Sequence, residues 1–354
     1  MDIQLLIDQF PLKSGMDAHK YWKELLKRYR GINGNIRDIK TPVFEFLSEL
    51  DYYRSEQGLL DYCVDRRAAL KATEKSSNVD IESILRQKRG EKQKKYRILI
   101  VSDAHGFFMD LGVRDCILRV LKDHHFDEIC FNGDNVDMPF LSSHNVKIRL
   151  NEANIFRDYT ETKEIEYTST QLFEAFKNTV GKDTKLICRD GNHCSRIFDP
   201  KGLSKEQLLR LQVLQNSFGT MDYSKMLRLD EIGVEYDPTP IRNYFNEFTV
   251  VHGLALSKNA ANKNIAHYAS SGASSHTHRG SCLNTTVRDK HLSWFETGCM
   301  RTIKAVEYFP TGVYADWVNG MTEVTFDLSE ETPLIFGKTH LIQNNKTCFN
   351  GYIY

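Results

Sequence analysis

The chain has 354 residues, 41% of them hydrophobic, with 47 basic and 47 acidic side chains. That length suits about two domains, or one large domain with an appendage, and no apolar run approaches a membrane span, so a helical membrane protein is excluded. The balanced total hides a split: residues 1–97 hold 20 basic against 15 acidic side chains, and the remainder 27 against 32. A basic front suits an anionic partner, and an acidic remainder suits cations.

The eight cysteines (Cys63, Cys116, Cys130, Cys188, Cys194, Cys282, Cys299 and Cys348) include no C-x-x-C pair. They read as reduced, packed thiols rather than a disulfide framework. The first residues carry neither a basic n-region nor a long apolar stretch, so the expected location is cytoplasmic, with no membrane partner. There is no internal repeat.

In chain order, residues 1–90 are expected to form a helical module. Trp22, Leu25, Leu26 and Tyr29 fall at helical spacing. A Gly-rich break follows at 31–35. Further helices are expected from Pro42 to Leu50, over 59–72 and over 81–87. Residues 86–97 carry seven basic side chains and one acidic one. Within them, 91–97 is the expected linker. It reads either as a solvated connection or as an arm whose Lys88, Arg89, Lys92, Lys94 and Lys95 tether nucleic-acid phosphate.

The main domain is expected over 98–330, with a C-terminal tail at 331–354. Ile98-Leu99-Ile100-Val101 reads as a strand buried on both faces. It ends in Ser102-Asp103-Ala104-His105. A helix over 112–125 leads to the strand Ile129-Cys130-Phe131, which ends in Asn132-Gly133-Asp134-Asn135-Val136-Asp137. Residues 145–180 read as two helices. The strand over 185–188 ends in Arg189-Asp190-Gly191-Asn192-His193. A capping box at Ser204 opens a helix to Phe218. The strand over 248–251 ends in His252-Gly253, and Gly272-Ala273-Ser274-Ser275 leads into His276-Thr277-His278-Arg279. Further strands are expected at 292–295 and 324–326.

Each of these tips taken singly has an ordinary explanation: a turn, a side-chain cap, a core histidine. Five in order, all rich in carboxylate, imidazole and amide at strand ends, point to a metal centre. Open α/β sheets place ligands beyond the carboxyl ends of their strands. Mixed donors of this kind suit manganese, iron or zinc.

The ordered set Asp103/His105, Gly133-Asp134-Asn135-Val136-Asp137, Gly191-Asn192-His193, His252-Gly253 and His276-Thr277-His278 resembles the calcineurin-like metallophosphoesterase superfamily, over about residues 96–300. The resemblance implies an α/β fold: a four-layer α/β/β/α metallophosphoesterase sandwich of two mixed sheets, here behind an N-terminal helical module. It implies two divalent metal ions, manganese first and iron or zinc as alternatives. Asp134 would bridge them. Asp103, His105 and His278 would complete one, and Asn192, His252 and His276 the other. A hydroxide bridging the two ions would be the nucleophile, since two cations acidify a shared water toward a pKa of roughly 7. His193 is the implied general acid, oriented by Asp137.

Two positions depart from the family pattern: Cys194 stands where an acidic residue is usual, and Ser275 where glycine is. Gly191-Asn192-His193-Cys194-Ser195-Arg196 and His276-Thr277-His278-Arg279 look most like phage-type and bacterial members, with Arg196 and Arg279 on the substrate side. Met138-Pro139 replaces the Arg-Gly of Ser/Thr protein phosphatases, which argues against that activity. The first expectation is therefore a metal-dependent phosphodiesterase or nuclease with nucleic acid as partner. The second is a phosphatase or phosphodiesterase of small phosphorylated molecules. The third is a non-catalytic binding module on the same scaffold. The sequence assigns no oligomeric state.

Overall fold

The computed structural model describes residues 76–88, 90, 94–142, 159–197, 203–253, 258–287, 290–303 and 316–354. The helices expected between residues 17 and 72, and Arg89 and Lys92 of the basic segment, lie outside the described residues. All described residues fall in one compact unit, Lys75–Tyr354.

The elements run β1 (Ser77–Val79), α1 (Ile81–Gln87), β2 (Lys95–Val101), α2 (Leu111–Asp123) and β3 (Glu128–Asn132). Next is α3 (Glu161–Thr168), continued by a π-helical segment (Ser169–Glu174) and a last turn (Ala175–Lys177). Then come β4 (Lys185–Arg189), α4 (Lys205–Phe218), α5 (Tyr223–Met226), α6 (Leu229–Ile232), β5 (Glu235–Asp237), β6 (Ile241–Tyr244) and β7 (Phe248–Val251). The chain continues through α7 (Ala260–Tyr268), β8 (Ser271–Ser274), β9 (Gly280–Val287) and β10 (Lys290–Thr297). It ends with β11 (Asn319–Asp327), β12 (Leu334–Ile342) and the short pair β13 (Cys348–Phe349) and β14 (Tyr352–Ile353).

Two six-stranded mixed sheets result, in the orders β12-β11-β2-β3-β4-β5 and β1-β6-β7-β8-β10-β9. In the first, β2, β3, β4 and β5 are parallel, and β11 and β12 add on antiparallel. Ile98, Leu99, Ile100 and Val101 are all fully buried, because β2 is covered on both faces. Ile98 and Ile100 join Cys130, Phe248, Val250, Ala273 and Phe295 in the core between the sheets. Leu99 and Val101 face the other way, onto a core with Val113 and Ile117 of α2 and Ile165 and Phe173 of the α3 region. Such side chains contribute about 1.5–3 kcal/mol each when fully buried. On the outer face of the second sheet, Leu292 and Trp294 pack on Ala261 and Ile265 of α7. The layers are therefore helix, sheet, sheet, helix.

Helix starts follow local chemistry. Asp110 caps α2 by accepting the N–H groups of Gly112 and Val113, and Ser204 with Gln207 closes the capping box of α4. Two segments lie elsewhere than expected. Residues 77–87, expected in the N-terminal module, belong to this unit: β1 pairs with β6, and Ile84 is buried in the inter-sheet core. Residues 334–342, expected in a tail, form β12, which pairs with β11 along its whole length. Phe349 beyond it is fully buried. Of the two helices expected over 145–180, the described residues hold the run from Glu161 to Lys177, and residues 145–158 lie outside the described residues.

Candidate metal centre

The register aligns the strand ends. Val101 pairs with Phe131, and Phe131 with Cys188, so the tips of β2, β3 and β4 emerge at one height. Backbone bonds continue past the strands: Asp103 N–H donates to the Gly133 carbonyl at 3.1 Å, His105 N–H to Asp134 at 2.9 Å and Gly106 N–H to Asn135 at 2.9 Å. Asn132 ties in the second sheet. Its amide donates to the Val251 carbonyl (2.7 Å) and to Ser275 Oγ (2.8 Å), while its Oδ1 accepts from Arg189 (2.7 Å).

Five of the seven expected ligands have left-handed backbones: Asp103 (φ 53°), His105 (53°), Asp134 (48°), His276 (66°) and His278 (56°). Non-glycine residues held so cost about 1–3 kcal/mol each and gather at functional sites. The turns are also crowded. A Cβ at Gly191 would lie 2.2 Å from Asp134 Oδ1, and one at Gly133 2.5 Å from His252 Nδ1.

Among the described residues the ligand-type atoms fall into three groups, each with all atoms within 4.8 Å of one another: Asp103/His105/His278, Asp134/His252/His276 and His105/Asp137/His193. In the first, Asp103 Oδ2 accepts from Ser102 Oγ (2.6 Å) and from the His276 N–H (3.2 Å). Asp103 Oδ1 has no hydrogen-bond partner and lies 3.2 Å from His278 Nε2 and 3.9 Å from His105 Nε2. The two imidazole Nε2 atoms are 3.1 Å apart. His105 Nδ1 lies 2.7 Å from Asp137 Oδ1. A carboxylate only accepts, so Nδ1 carries the hydrogen and Nε2 is bare. Burial, then the neighbouring His193, drives the His105 pKa down to about 3, so the ring is in the neutral form that binds metals. Burial raises Asp103, but the adjacent His278 outweighs it and holds the carboxyl at about 2. A buried carboxylate oxygen without a donor is costly. Facing two imidazole nitrogens, it forms a cradle that a divalent cation satisfies.

In the second group, Asp134 Oδ1 accepts the His193 N–H at 2.7 Å. That leaves Oδ2 facing both groups, 3.1 Å from His252 Nε2 and 4.0 Å from His105 Nε2. His252 Nδ1 donates to the Asn132 carbonyl at 2.7 Å, which aims Nε2 at the site. Asn192 Oδ1 is 3.2 Å from that Nε2. Burial lowers the His252 pKa, but Asp134 beside it prevails and raises it to about 9. His276 and His278 join different groups because Thr277 between them turns away to donate to Glu296 at 2.8 Å.

His193 Nδ1 bonds the Asp137 backbone carbonyl at 3.2 Å and lies 2.6 Å from Asp137 Oδ1. Burial raises the Asp137 carboxyl, but His193 first and then His105 hold it well below the usual range. Arg196 donates to the Asp137 carbonyl (2.6 Å) and lies 3.2 Å from His193 Nε2. Arg279 is paired with Asp316 at 2.8 Å. Cys194 and Ser275 are both packed. Cys194 is fully buried, 3.2 Å from the Tyr223 hydroxyl. Ser275 holds Asn132 and donates its N–H to the His252 carbonyl at 2.7 Å.

The basic segment does not converge on the centre. Lys88 Nζ is 2.7 Å from Asp127, Arg86 pairs with Glu82 at 3.0 Å and Arg97 with Glu323 at 3.4 Å. Lys94 and Lys95 are exposed at the start of β2, opposite its metal-facing tip. Two residues at the centre escaped the sequence reading. Asn132 had a signal, the polar last residue of β3 directly before Gly133-Asp134. Arg301, buried over the Phe108 ring and 4.0 Å from Asp137 Oδ1, had none. No helix among the described residues is long and apolar enough to cross a membrane.

No protein-family model matches the sequence, and no curated protein matches it. Similar solved structures include Vps29 from Entamoeba histolytica, at 10% identity over 73% of this chain and 96% of that one, TM-score 0.30. Vps29 from Cryptosporidium parvum is similar at 11% identity over 73% and 96%, TM-score 0.31. A serine/threonine phosphatase from Saccharomyces cerevisiae is similar at 12% identity over 83% and 95%, TM-score 0.34.

Proposed function

We propose that the chain is a phosphoester hydrolase working with two divalent metal ions, and that its substrate is a phosphodiester of nucleic acid. The observation that carries this reading is the pair of donor groups, Asp103/His105/His278 and Asp134/His252/His276 with Asn192, meeting at Asp134 Oδ2. When bound, two such ions acidify a water and neutralise phosphate charge; manganese is the proposed metal. The chain's own residues supply the rest. Asp137 holds the His193 ring through Nδ1, so Nε2 is the atom that would deliver a proton to the leaving oxygen once the Arg196 guanidinium, which now donates toward it at 3.2 Å, turns to phosphate. Arg196, beside that nitrogen, and Arg279 take phosphate oxygens. The acidic balance beyond residue 97 suits the cations, and the basic front suits a polyanion that extends past the centre.

A second reading is hydrolysis of small phosphorylated molecules. Its support is that Arg86, Lys88 and Arg97 are engaged by acidic side chains of the same chain. The deciding experiment incubates the manganese-loaded protein with bis(p-nitrophenyl) phosphate, p-nitrophenyl phosphate, and single- and double-stranded DNA. Cleavage of the diester and of DNA is the expected result. Turnover of the monoester alone would replace the first reading by the second. No turnover of any of them would overturn both.

A further inference from the structure

Glu164, on the first turn of α3, is fully buried and takes no part in the chemistry above. Its Oε1 accepts the backbone N–H of Asp137, and the Met138 N–H is shared between Oε1 at 3.3 Å and Oε2 at 3.2 Å. Its Oε2 is 2.5 Å from the Tyr159 hydroxyl. The turn after His105 is built against it, since a Cβ at Gly106 would lie 2.2 Å from Glu164 Oε1. Met138 is left-handed (φ 50°), a conformation that persists only where its surroundings enforce it.

We propose that Glu164 is a positioning residue that fixes the Asp137–Met138 peptide so that Asp137 holds both imidazoles, His105 Nδ1 on Oδ1 and His193 Nδ1 on the backbone carbonyl of that peptide. Those contacts, 2.7 Å to Oδ1 and 3.2 Å to the carbonyl, aim one imidazole at the metal cradle and the other at the leaving group. Without an acceptor at residue 164, two buried N–H donors lose their partner and the loop re-settles to find another. A displacement of about 1 Å at such a site costs on the order of 10²-fold in rate. Burial, then the Asp137 carboxylate, pushes the Glu164 carboxyl up to about 8. A glutamine keeps the shape and the Oε1 acceptor of both backbone N–H groups, and its amide can donate to the Tyr159 hydroxyl, so it should replace the glutamate.

The test compares Glu164→Gln, Glu164→Ala and Glu164→Asp by proton NMR of protein labelled with ¹⁵N-histidine. The buried Trp294 indole, which donates to Ser274 at 2.9 Å, reports that the sheets are intact. The parent and Glu164→Gln should show two hydrogen-bonded Nδ1–H resonances, that of His105 strongly downfield and that of His193 less so. Glu164→Ala should lose them with the indole signal unchanged. Glu164→Asp withdraws the acceptor by one methylene and should lose them too, which decides the matter if the alanine variant does not fold. The kinetic arm rests on the phosphoesterase reading. There Glu164→Ala should lose about 10²-fold more on an alkyl phosphodiester than on a nitrophenyl one, and Glu164→Gln should match the parent. Resonances that survive in Glu164→Ala or Glu164→Asp, or a Glu164→Gln as damaged as Glu164→Ala, would overturn the proposal. A parent that hydrolyses no phosphoester would sink the function reading alone, and the NMR arm would still decide Glu164.

Discussion

Asp134→Asn removes a charge at the atom the two donor groups share. The variant keeps the local fold, because Asn Oδ1 can still accept the His193 N–H now held at 2.7 Å. At the other oxygen an amide N–H₂ would face His252 Nε2, 3.1 Å away, and His105 Nε2, 4.0 Å away. Two unit charges 4 Å apart at an effective dielectric of about 20 interact by about 4 kcal/mol. A divalent ion at that range from the carboxylate feels at least as much, so each ion should bind about 10³-fold more weakly. Isothermal titration of the metal-stripped protein with Mn²⁺ or Zn²⁺ reads this directly, with a thermal melt of the stripped forms as the control for folding. The expected result is two ions in the parent and a loss at both sites in the variant. If one ion weakens and the other binds as in the parent, Asp134 belongs to one ion only and the bridging argument is wrong.

Three further outcomes follow from the geometry. His193→Asn should lower turnover of an alkyl phosphodiester by about 10²–10⁴, do little to a nitrophenyl ester and leave metal content intact; equal losses on both esters would mean that the ring positions rather than protonates. In the metal-free chain Asp134 raises the His252 pKa to about 9, so a proton on Nε2 competes with the cation, and affinity at Asp134/His252/His276 should weaken as pH falls below that value. His105, held down to about 3, imposes no such competition, so metal content measured against pH should drop in two phases, and a single phase would contradict the assignment. Changing Arg89, Lys92, Lys94 and Lys95 together to Gln should flatten the salt dependence of DNA binding, by about 0.9 in logarithmic slope for each phosphate no longer neutralised; an unchanged slope would remove the tether.

The sequence was most informative where one residue type has few roles. Four consecutive aliphatic residues at Ile98 could be a strand only if both faces were covered, and the two cores on either side of β2 cover them. The D-x-H, G-D-x-x-D, G-N-H and H-x-H tips were legible because carboxylate and imidazole recur at successive strand ends, where a packed chain seldom places them. Pairing partners were harder to read. Nothing local marks β11 as the antiparallel neighbour of β2, or residues 334–342 as the edge of that sheet, because β12 exposes Leu334, Phe336 and Leu341 and lacks a clean alternation. Ile81–Gln87 shows helical spacing, but its helix is held by Ile84 meeting residues such as Phe245 and Phe326, far away in sequence. The supports of the centre were least legible of all. Glu164 reads as one more acidic residue at a helix start, and its value lies in which backbone N–H groups it meets after folding.

The most direct test of the account is anomalous diffraction from crystals of the manganese-loaded protein, recorded at the manganese edge. The account predicts two peaks per chain. One should lie within coordination distance of Asp103, His105 and His278, the other within that distance of Asn192, His252 and His276, with Asp134 touching both. A single peak, or two peaks that do not share Asp134, would contradict it.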